Sequence, residues 1–431
     1  MTTTAATSTA DAAALPWWKE PTRGQWMSFL AAWVGWVMDA FDFTIYLLVV
    51  PDIGKEFGVS TRTTIFALTM TLTCRLLGGM VAGAAADRWG RKLPLMLSLI
   101  WFAGFDGAIY FAGSFTAVLV LRTLFGFGMG AEWTAGATLA MENWPARSKG
   151  LASGVLQGSW AIGYFLAAAV YDWVVPTWGW RALFLLAAAP ALLALPIRIW
   201  VPESEEFKAR AKPVERAPLF DLSAFRGQWR GLVLACLLMA LGFAVYYGIT
   251  GLYPTILMTE RGQSGEGMTF HVRLFNVGML GGAAVFGWLA GRRGPRVAIG
   301  LPASVMVLCL PLYLGWRMDL LWVGALLGGV FGAGFCGVTP LLLTRFFPSH
   351  VRARSVGFAY HAGAFAAAFV PYGIAYLSER FHLTLAWSMG LVSGAALVLL
   401  VAALFIPFKQ LDAAPVAAPP GTASAPAQQA A

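Results

Sequence analysis

Twelve apolar runs, each long enough to cross a lipid bilayer as a helix, account for most of the chain. A helix needs about 20 mostly apolar residues to span the hydrocarbon core, so runs of this length indicate a polytopic membrane protein rather than a globule with an anchor. The predicted spans cover residues 26–50, 62–86, 93–112, 116–141, 150–171, 181–200, 230–255, 268–290, 296–315, 319–344, 356–378 and 384–407. The pattern predicts an all-α membrane protein with twelve transmembrane helices.

Composition agrees with this fold class. Hydrophobic residues make up 58% of the chain and charged residues only 12%, about half the charged fraction of soluble domains. The four cysteines lie inside apolar runs without paired spacing, so we interpret them as small core residues rather than disulfides or metal ligands. They are Cys74, Cys236, Cys309 and Cys336. Residues 1–15 lack the basic start and apolar core of a cleavable signal peptide, and none is expected.

The distribution of Lys and Arg predicts the orientation in the membrane. With alternating spans, 21 of the 30 basic residues fall on the side of the two termini and 6 on the other side. Cytoplasmic loops carry the excess of Lys and Arg, so both termini are expected in the cytoplasm of a bacterium, with the spans in its inner membrane. The net charge of +9 is then a topogenic signal, and the expected partner is the lipid bilayer rather than a nucleic acid.

The chain repeats itself once. A glycine-rich, basic segment that begins at Gly83 recurs at Gly287, 204 residues later, and two further motif pairs are offset by 207 and 202 residues. Three agreeing offsets predict two pseudo-symmetric six-helix bundles of the same orientation, with a binding site between them near the membrane midplane. The predicted parts are a cytoplasmic segment at 1–25, bundles at 26–200 and 230–407, a cytoplasmic linker at 201–229 and a disordered tail at 408–431.

Two carboxylates lie near the centre of the first predicted span. Asp39 and Asp42 are three residues apart, which places them on one face of a helix. A charged Asp at that depth costs about 2.5–3.5 kcal/mol, and two charged together cost more. The pair is tolerable if one group is protonated or if a cation from another helix faces it. We predict a proton site of a transporter; the alternative is one Asp in a static pair with an Arg.

Further charges inside the spans are candidates for the same chemistry. Arg75 is expected at the depth of the Asp pair, where it either pairs with an Asp or offers its guanidinium fork to a substrate carboxylate. Asp106 and Arg122 are expected at equal depth on neighbouring spans, which predicts a second pair, either coupling or static. Glu132 has no obvious cation at its depth, so it is either a second protonatable site or a neutral hydrogen-bonding acid.

The second half offers polar side chains on apolar helices, which either line the cavity or pack at an interface. Together with Arg75 and Arg122, the candidate substrate ligands are Tyr246, Tyr247, Asn276, Tyr360 and His361. Charged residues at the cytoplasmic ends of the first-half helices predict a salt-bridge latch that acts as a gate. The candidate gating residues are Gly83, Asp87, Arg88, Gly90, Arg91 and Glu142.

Several of these motifs resemble a known family. The segment 83–92 resembles the loop signature of the major facilitator superfamily, and Arg122-x-x-x-Gly126-x-Gly128-x-Gly130 resembles its fourth-helix motif. Asp39-Ala-Phe-Asp42-Phe and the segments 130–133, 142–150 and 175–184 look like the sialate:proton symporter family, which includes sialate permeases and fungal lactate and pyruvate permeases. The Asp pair is also similar to the aromatic acid:proton symporters. The resemblance implies a monomer and a role of Arg122 in proton coupling. Gly291 stands where the first half has Asp87, so the second loop is expected to be a looser gate.

These observations predict a proton-coupled symporter that imports an organic monocarboxylate by alternating access. Lactate or pyruvate, sialate and aromatic acids are the candidate substrates, the proton is the coupling ion, and neither a cofactor nor a metal is expected. The alternative is a proton-coupled drug or metabolite exporter of the same fold. Exporters of this superfamily usually carry a Gly-Pro signature in the fifth span, and residues 154–163 contain no proline. A membrane enzyme or sensor is disfavoured because no catalytic motif or soluble domain is found, so the protein is not expected to be an enzyme.

Overall fold

The computed structural model describes residues 16–59, 61–142, 144–188, 227–348 and 351–412, and these residues are almost entirely helical. The first half contains α1 (Arg23–Leu48), α2 (Val50–Phe57), α3 (Thr61–Trp89), α4 (Lys92–Ala108), α5 (Phe115–Glu142), α6 (Lys149–Trp178) and α7, described over residues 181–188. The second half contains α8 (Trp229–Thr250), α9 (Tyr253–Thr259), α10 (Gly265–Arg293), α11 (Pro295–Tyr313), α12 (Leu321–Leu327), α13 (Thr339–Phe346), α14 (Arg352–Ala367), α15 (Val370–Phe381) and α16 (Leu385–Ala403).

The described residues contain ten helical segments that are long and apolar enough to cross a membrane. The two remaining predicted spans have separate explanations. The sixth is described only over residues 181–188, and the eleventh is divided into α14 and α15, each too short to qualify alone. The predicted all-helical, multi-pass fold is confirmed. The domain boundaries stay predictions, because most of the linker and the tail from residue 413 lie outside the described residues.

Prolines interrupt the helix in the seventh and eleventh predicted spans, and the tenth departs from a regular α-helix. The seventh and tenth still form segments long and apolar enough to cross a membrane, at Trp229–Thr259 and Met318–Phe346. A proline lacks an N–H, and its ring clashes with the carbonyl four residues earlier. Accordingly α8 ends at Thr250, four residues before Pro254, and α14 ends at Ala367, four residues before Pro371. In the tenth span, a π-helix at Gly328–Ala333 and a 3-10 helix at Gly334–Val338 precede α13.

A glutamate at one end of each half supports the internal repeat. In the first half, Glu56 accepts hydrogen bonds from Trp180 Nε1 at 2.6 Å and Arg181 Nη2 at 2.7 Å, where α7 begins. In the second half, Glu260 accepts hydrogen bonds from Leu385 N at 2.5 Å and Ala386 N at 3.1 Å, where α16 begins. The two glutamates are 204 residues apart, the same offset as Gly83 and Gly287. Each half therefore ties the end of its first span to the start of its last helix.

Glycines bring helix backbones into direct contact around the centre of the fold. A Cβ atom on Gly130 of α5 would lie 2.2 Å from Arg75 O of α3, which explains a glycine-rich stretch where helices must approach closely. Between the halves, a Cβ atom on Gly150 would lie 2.7 Å from Gly287 O and 2.9 Å from Gly291 Cα. Gly150 and Gly287 thus let the two halves pack backbone against backbone, with Gly291 beside them. The expectation that Gly291 makes a looser gate stays a prediction.

Contacts define the two ends of the bundle. We call the end that carries the Gly150–Gly291 contact and the turn at Gly90 the basic end, because the predicted cytoplasmic loops lie there. The end that carries Glu56 and Glu260 is the opposite end. The site described next lies between them.

Candidate functional site

The guanidinium of Arg75 lies at the contact between the two halves, surrounded by aromatic rings. Its Cζ atom is 5.6 Å from the ring centroid of Trp36, 5.9 Å from that of Trp160 and 5.5 Å from that of Tyr360. Trp36 and Trp160 belong to the first half and Tyr360 to the second. We call these four residues the Arg75 cage. A guanidinium suits such a place because it is weakly hydrated and stacks on aromatic faces.

The guanidinium of Arg75 has N–H donors that make no hydrogen bond among the described residues. Its Nη2 atom lies 3.8 Å from Asp39 Oδ2, and the arginine side chain is only 1% exposed. Charge-assisted hydrogen bonds are about 2.7–2.9 Å long, so this pair is an electrostatic contact without a hydrogen bond. Among the described residues, neither Nε nor Nη2 of Arg75 has a hydrogen-bond partner. Of the two aspartates in the first span, Asp39 is thus the one in contact with Arg75, and donors remain for an incoming anion.

Three further predicted substrate ligands are tyrosines: Tyr360 is part of the Arg75 cage, and Tyr246 and Tyr247 lie beside it. Tyr360 stacks on Trp133 with ring centroids 3.5 Å apart, and the Tyr246 hydroxyl accepts a hydrogen bond from Trp160 Nε1 at 2.7 Å. Tyr247 packs edge-on against Tyr246. Sequence reasoning missed the tryptophans, because 19 of them are spread over the chain and apolar spans give no sign of which ones face the centre.

His361 and Asn276 have other surroundings. The Nε2 atom of His361 lies 3.0 Å from Gly130 O and, since a carbonyl only accepts, donates its hydrogen there. A Cβ atom on Gly79 would lie 2.1 Å from His361 Cδ2, so the second-half ring is wedged against α3 and α5. Asn276 donates from Nδ2 to Val272 O in its own helix at 2.8 Å. The structure places His361 in the packing between halves rather than in the cage.

A second charged cluster lies wholly inside the first half. Arg122 Nη1 donates to Asp106 Oδ1 at 2.7 Å and to the backbone oxygen of Asp42 at 3.3 Å. Its guanidinium also lies 4.8 Å from the Tyr46 ring centroid and 4.2 Å from that of Phe125. The predicted Asp106–Arg122 pair is therefore present. Arg122 is committed to first-half partners, which distinguishes it from Arg75.

The remaining predicted acids are buried. Neither carboxylate oxygen of Asp42 has a hydrogen-bond partner within the described part of the chain. Glu132 accepts a hydrogen bond from Ser98 Oγ at 3.2 Å, between α4 and α5. A carboxyl group that is buried without hydrogen bonds is far more stable neutral than charged. Asp42 therefore has the surroundings of a protonated acid in this conformation.

Ion pairs hold the basic end, but the set differs from the predicted latch. Glu142 lies 3.0 Å from Arg91 and 4.0 Å from Arg352, which joins the two halves. Gly83 faces Arg354 Cα across the same contact, and Gly90 adopts a φ of +94° in the turn between α3 and α4. The Arg88 side chain is exposed and its Cζ atom lies 5.2 Å from the Trp89 ring centroid, and its place in the latch stays a prediction. The side chain of Asp87 lies outside the described residues.

The opposite end has an ion pair that sequence reasoning did not anticipate. Arg273 of α10 pairs with Asp172 of α6 and donates to Ala168 O at 3.3 Å. The two partners lie 101 residues apart, in different halves, so no local pattern links them. Both ends of the interface between the halves thus carry an ion pair.

Two cavities meet at Pro371, on the side towards the opposite end. One of about 10 Å³ is lined by Tyr246, Tyr247 and Pro371, and it lies below a cavity of about 340 Å³ at the opposite end that also touches Pro371. A volume of 10–15 Å³ holds about one water molecule. The four cage residues are each at most 5% exposed, so the cage is occluded in this conformation. No group of three or more His, Cys, Asp or Glu that could hold a metal occurs among the described residues.

Comparisons with known proteins agree with this architecture. Residues 32–316 match the model of the Major Facilitator Superfamily. The cis,cis-muconate transport protein of Acinetobacter baylyi (strain ADP1) is 29% identical over 398 residues, covering 90% of this chain and 95% of the relative. The sialic acid transporter NanX of Escherichia coli K12 is 27% identical over 406 residues, covering 92% and 98%. The solved structure of the proton:xylose symporter XylE superposes with a TM-score of 0.72 at 18% identity, covering 89% of this chain and 96% of XylE, a likeness of fold.

Proposed function

The chain belongs to the major facilitator superfamily, and from this premise we propose that it is a symporter that imports an organic monocarboxylate together with a proton. We place it in the inner membrane of a bacterium, with both termini in the cytoplasm and the basic end facing inward. The excess of Lys and Arg at that end supports the orientation. The two relatives named above, which transport muconate and sialic acid, support an organic acid as substrate. No observation favours the exporter alternative.

The observation that carries the proposal is the state of Arg75. It is a buried cation between the two halves, its closest anion is 3.8 Å away, and two of its donor nitrogens have no hydrogen-bond partner among the described residues. A carboxylate matches the guanidinium fork with two parallel hydrogen bonds. We propose that the substrate carboxylate binds Arg75 inside the cage and displaces Asp39.

Displacement of Asp39 couples the substrate to a proton. Once Arg75 turns to the substrate, a charged Asp39 loses its contact with this cation, at a depth where a charge costs about 2.5–3.5 kcal/mol. Asp39 therefore takes up a proton as the acid binds, and a monocarboxylate with one proton enters without net charge. Asp42, Asp106 and Glu132 are the further candidate proton sites. Because charge is not moved, the pH gradient drives uptake, at about 1.4 kcal/mol per pH unit.

The ion pairs at the two ends serve as gates in this scheme. Glu142 with Arg91 and Arg352 closes the basic end, and Asp172 with Arg273 closes the opposite end. Alternating access requires that one opens while the other stays closed. The occluded cage is the intermediate between these two states.

Transport into liposomes tests the proposal. Purified protein is reconstituted with a pH-sensitive dye inside and acid outside, and pyruvate, sialate, benzoate and cis,cis-muconate are added in turn, with protein-free vesicles as the baseline. We expect the added organic acid to acidify the liposome lumen faster than in protein-free vesicles. This rate should fall about tenfold in Arg75→Lys, because lysine keeps the positive charge but lacks the two parallel N–H donors of the guanidinium. Arg317→Lys, an exposed arginine at the opposite end, is the matched control and should behave as wild type.

Asp39→Asn separates coupling from binding. Asparagine mimics the protonated acid, so exchange of labelled acid across the membrane should persist while proton-driven accumulation is lost. Acidification equal to wild type in Asp39→Asn would move the coupling site to Asp42, Asp106 or Glu132. If no acid produces a response in the wild type, the substrate class is wrong.

A further inference from the structure

A glutamine that the proposed transport cycle does not yet use faces the contact between the halves. Gln157 of α6 is only 6% exposed, and its Oε1 atom has no hydrogen-bond partner among the described residues. It lines a cavity of about 40 Å³ together with second-half residues, among them Cys336, Thr339 and Tyr360. Buried amide oxygens are normally satisfied, so this one needs an explanation.

The cavity at Gln157 adjoins the Arg75 cage. Trp160 lies three residues further along α6, hence on the same helix face, and its ring is a wall of the cage, 5.9 Å from Arg75 Cζ. Tyr360 belongs to both places, since it lines the cavity and lies 5.5 Å from Arg75 Cζ. An acid held on Arg75 therefore has Tyr360 beside it and the amide of Gln157 beyond.

Gln157 does not hydrogen-bond the backbone where the tenth span is interrupted, because another residue of α6 does so. The break exposes backbone groups between the 3-10 helix and α13. Ser153, one helical turn before Gln157, donates to Gly337 O at 2.8 Å and accepts from Leu341 N at 3.0 Å. These two backbone groups are thereby satisfied by Ser153, and Gln157 faces the cavity beside the break.

Resting on the proposed function, we infer that Gln157 determines specificity by hydrogen bonding a second polar group of the substrate, at the end away from the carboxylate on Arg75. A primary amide has two donors and an acceptor, so it accepts a hydrogen bond from a hydroxyl and donates to a carbonyl or a second carboxylate. The preferred ligands are then organic acids with a distal polar substituent, over unsubstituted acids of the same length. Gln157 is a positioning residue for the substrate and takes no part in proton transfer.

Binding of matched acids to the purified full-length protein tests this inference. The pairs are benzoate with 4-hydroxybenzoate and sorbate with trans,trans-muconate, and the dissociation constants are measured by calorimetry. The wild type should prefer the polar member of a pair. Gln157→Leu should lower that preference about tenfold through weaker binding of the polar member alone, because a polar substrate group is then buried without its partner.

Two further variants make the result decisive. Ser159→Ala is the matched control: Ser159 is buried on the same helix and donates within it, to Leu156 O at 2.5 Å, so the preference should stay as in wild type. Gln157→Glu, which keeps the acceptor but adds charge, should still bind 4-hydroxybenzoate and should reject muconate. An unchanged preference in Gln157→Leu or Gln157→Glu overturns the inference while leaving acid transport intact. If the wild type binds and transports no acid, the proposed function itself has failed.

Discussion

Two buried arginines of the first half show how surroundings separate residues that look alike in sequence. Arg122 donates to Asp106 and to the Asp42 backbone and packs on two rings of its own half. Arg75 lies against a ring of the second half, and its Asp39 partner is 3.8 Å away rather than hydrogen-bonded. Nε and Nη2 of both arginines lack a hydrogen-bond partner among the described residues. The first arrangement resists change because breaking a buried pair costs about 3–5 kcal/mol. In the second arrangement, Arg75 can exchange the Asp39 carboxylate for a substrate carboxylate with little loss of interaction energy.

At the residue scale, the contacts of Glu56 predict how the stability of the protein depends on pH. It lies outside the spanning segments, and the hydrogen bond from Arg181 holds the pKa of its carboxyl below the ordinary value of 4.5, aided by Trp180 and opposed by burial. Because the folded pKa is lower than the unfolded one, this stabilisation is complete above about pH 4.5 and is lost as the pH falls through the folded pKa.

Melting temperature against pH checks this prediction. Glu56→Gln should melt lower than wild type at pH 7, and the two curves should converge as the pH falls below 4.5. Glu266→Gln, an exposed glutamate in the first turn of α10, serves as control and should follow the wild type. Parallel curves for Glu56→Gln and wild type would show that the Glu56–Arg181 contact does not stabilise the protein.

At the scale of elements, the broken helices distinguish this structure from twelve straight rods. Irregular backbone at membrane depth is tolerated only where its polar groups find partners in the protein or in a water-filled cavity. The tenth predicted span meets this requirement through Ser153, a residue of the other half. The contact exists only while the halves are together, so it links the integrity of a helix to the closure of the basic end.

Ser153→Ala tests this link. Loss of the hydroxyl leaves Gly337 O and Leu341 N without this partner, at a cost of about 1–3 kcal/mol, and favours conformations in which the halves separate and water reaches the break. Cys336, which lies in the break, should then react several-fold faster with N-ethylmaleimide, measured by mass spectrometry. Ser153→Thr should restore the wild-type rate, and Ser159→Ala should leave it unchanged. Equal rates in Ser153→Ala and Ser159→Ala would contradict the link.

At the scale of the whole molecule, the two halves meet at two interfaces, one at the basic end and one at the opposite end. The basic end is held by direct backbone packing at Gly150 and by Glu142, whereas the opposite end is held by the half-exposed pair Asp172–Arg273. A partly exposed ion pair contributes little, roughly 0–1 kcal/mol. The opposite end is therefore expected to open more readily from the occluded state.

Spin labels at the two ends test the gates separately. We place one pair at exposed positions 88 and 293 of the basic end and another at 177 and 266 of the opposite end, in a background without native cysteines. Asp172→Asn should lengthen the second distance and leave the first unchanged, while Glu142→Gln should lengthen the first. If both substitutions lengthen the same distance, the two ion pairs do not act as separate gates.

The sequence by itself determined the membrane fold, the two-fold repeat and the residues that carry charge into the bilayer. These follow from span length, motif offsets and the cost of buried charge, all of which depend on local composition. It also placed Arg75 at the depth of Asp39 and Asp42, and Arg122 at the depth of Asp106, because antiparallel neighbouring helices bring residues of equal depth together. The structure selects Asp39 as the contact of Arg75.

Only the tertiary structure decided which of these groups face each other across the two halves. The cage of Trp36, Trp160 and Tyr360, the wedge of His361 and the pair Asp172–Arg273 join residues that are far apart in the chain. Their meeting depends on how the two bundles dock. Docking is set by shape and close backbone contact rather than by any periodic pattern along the chain.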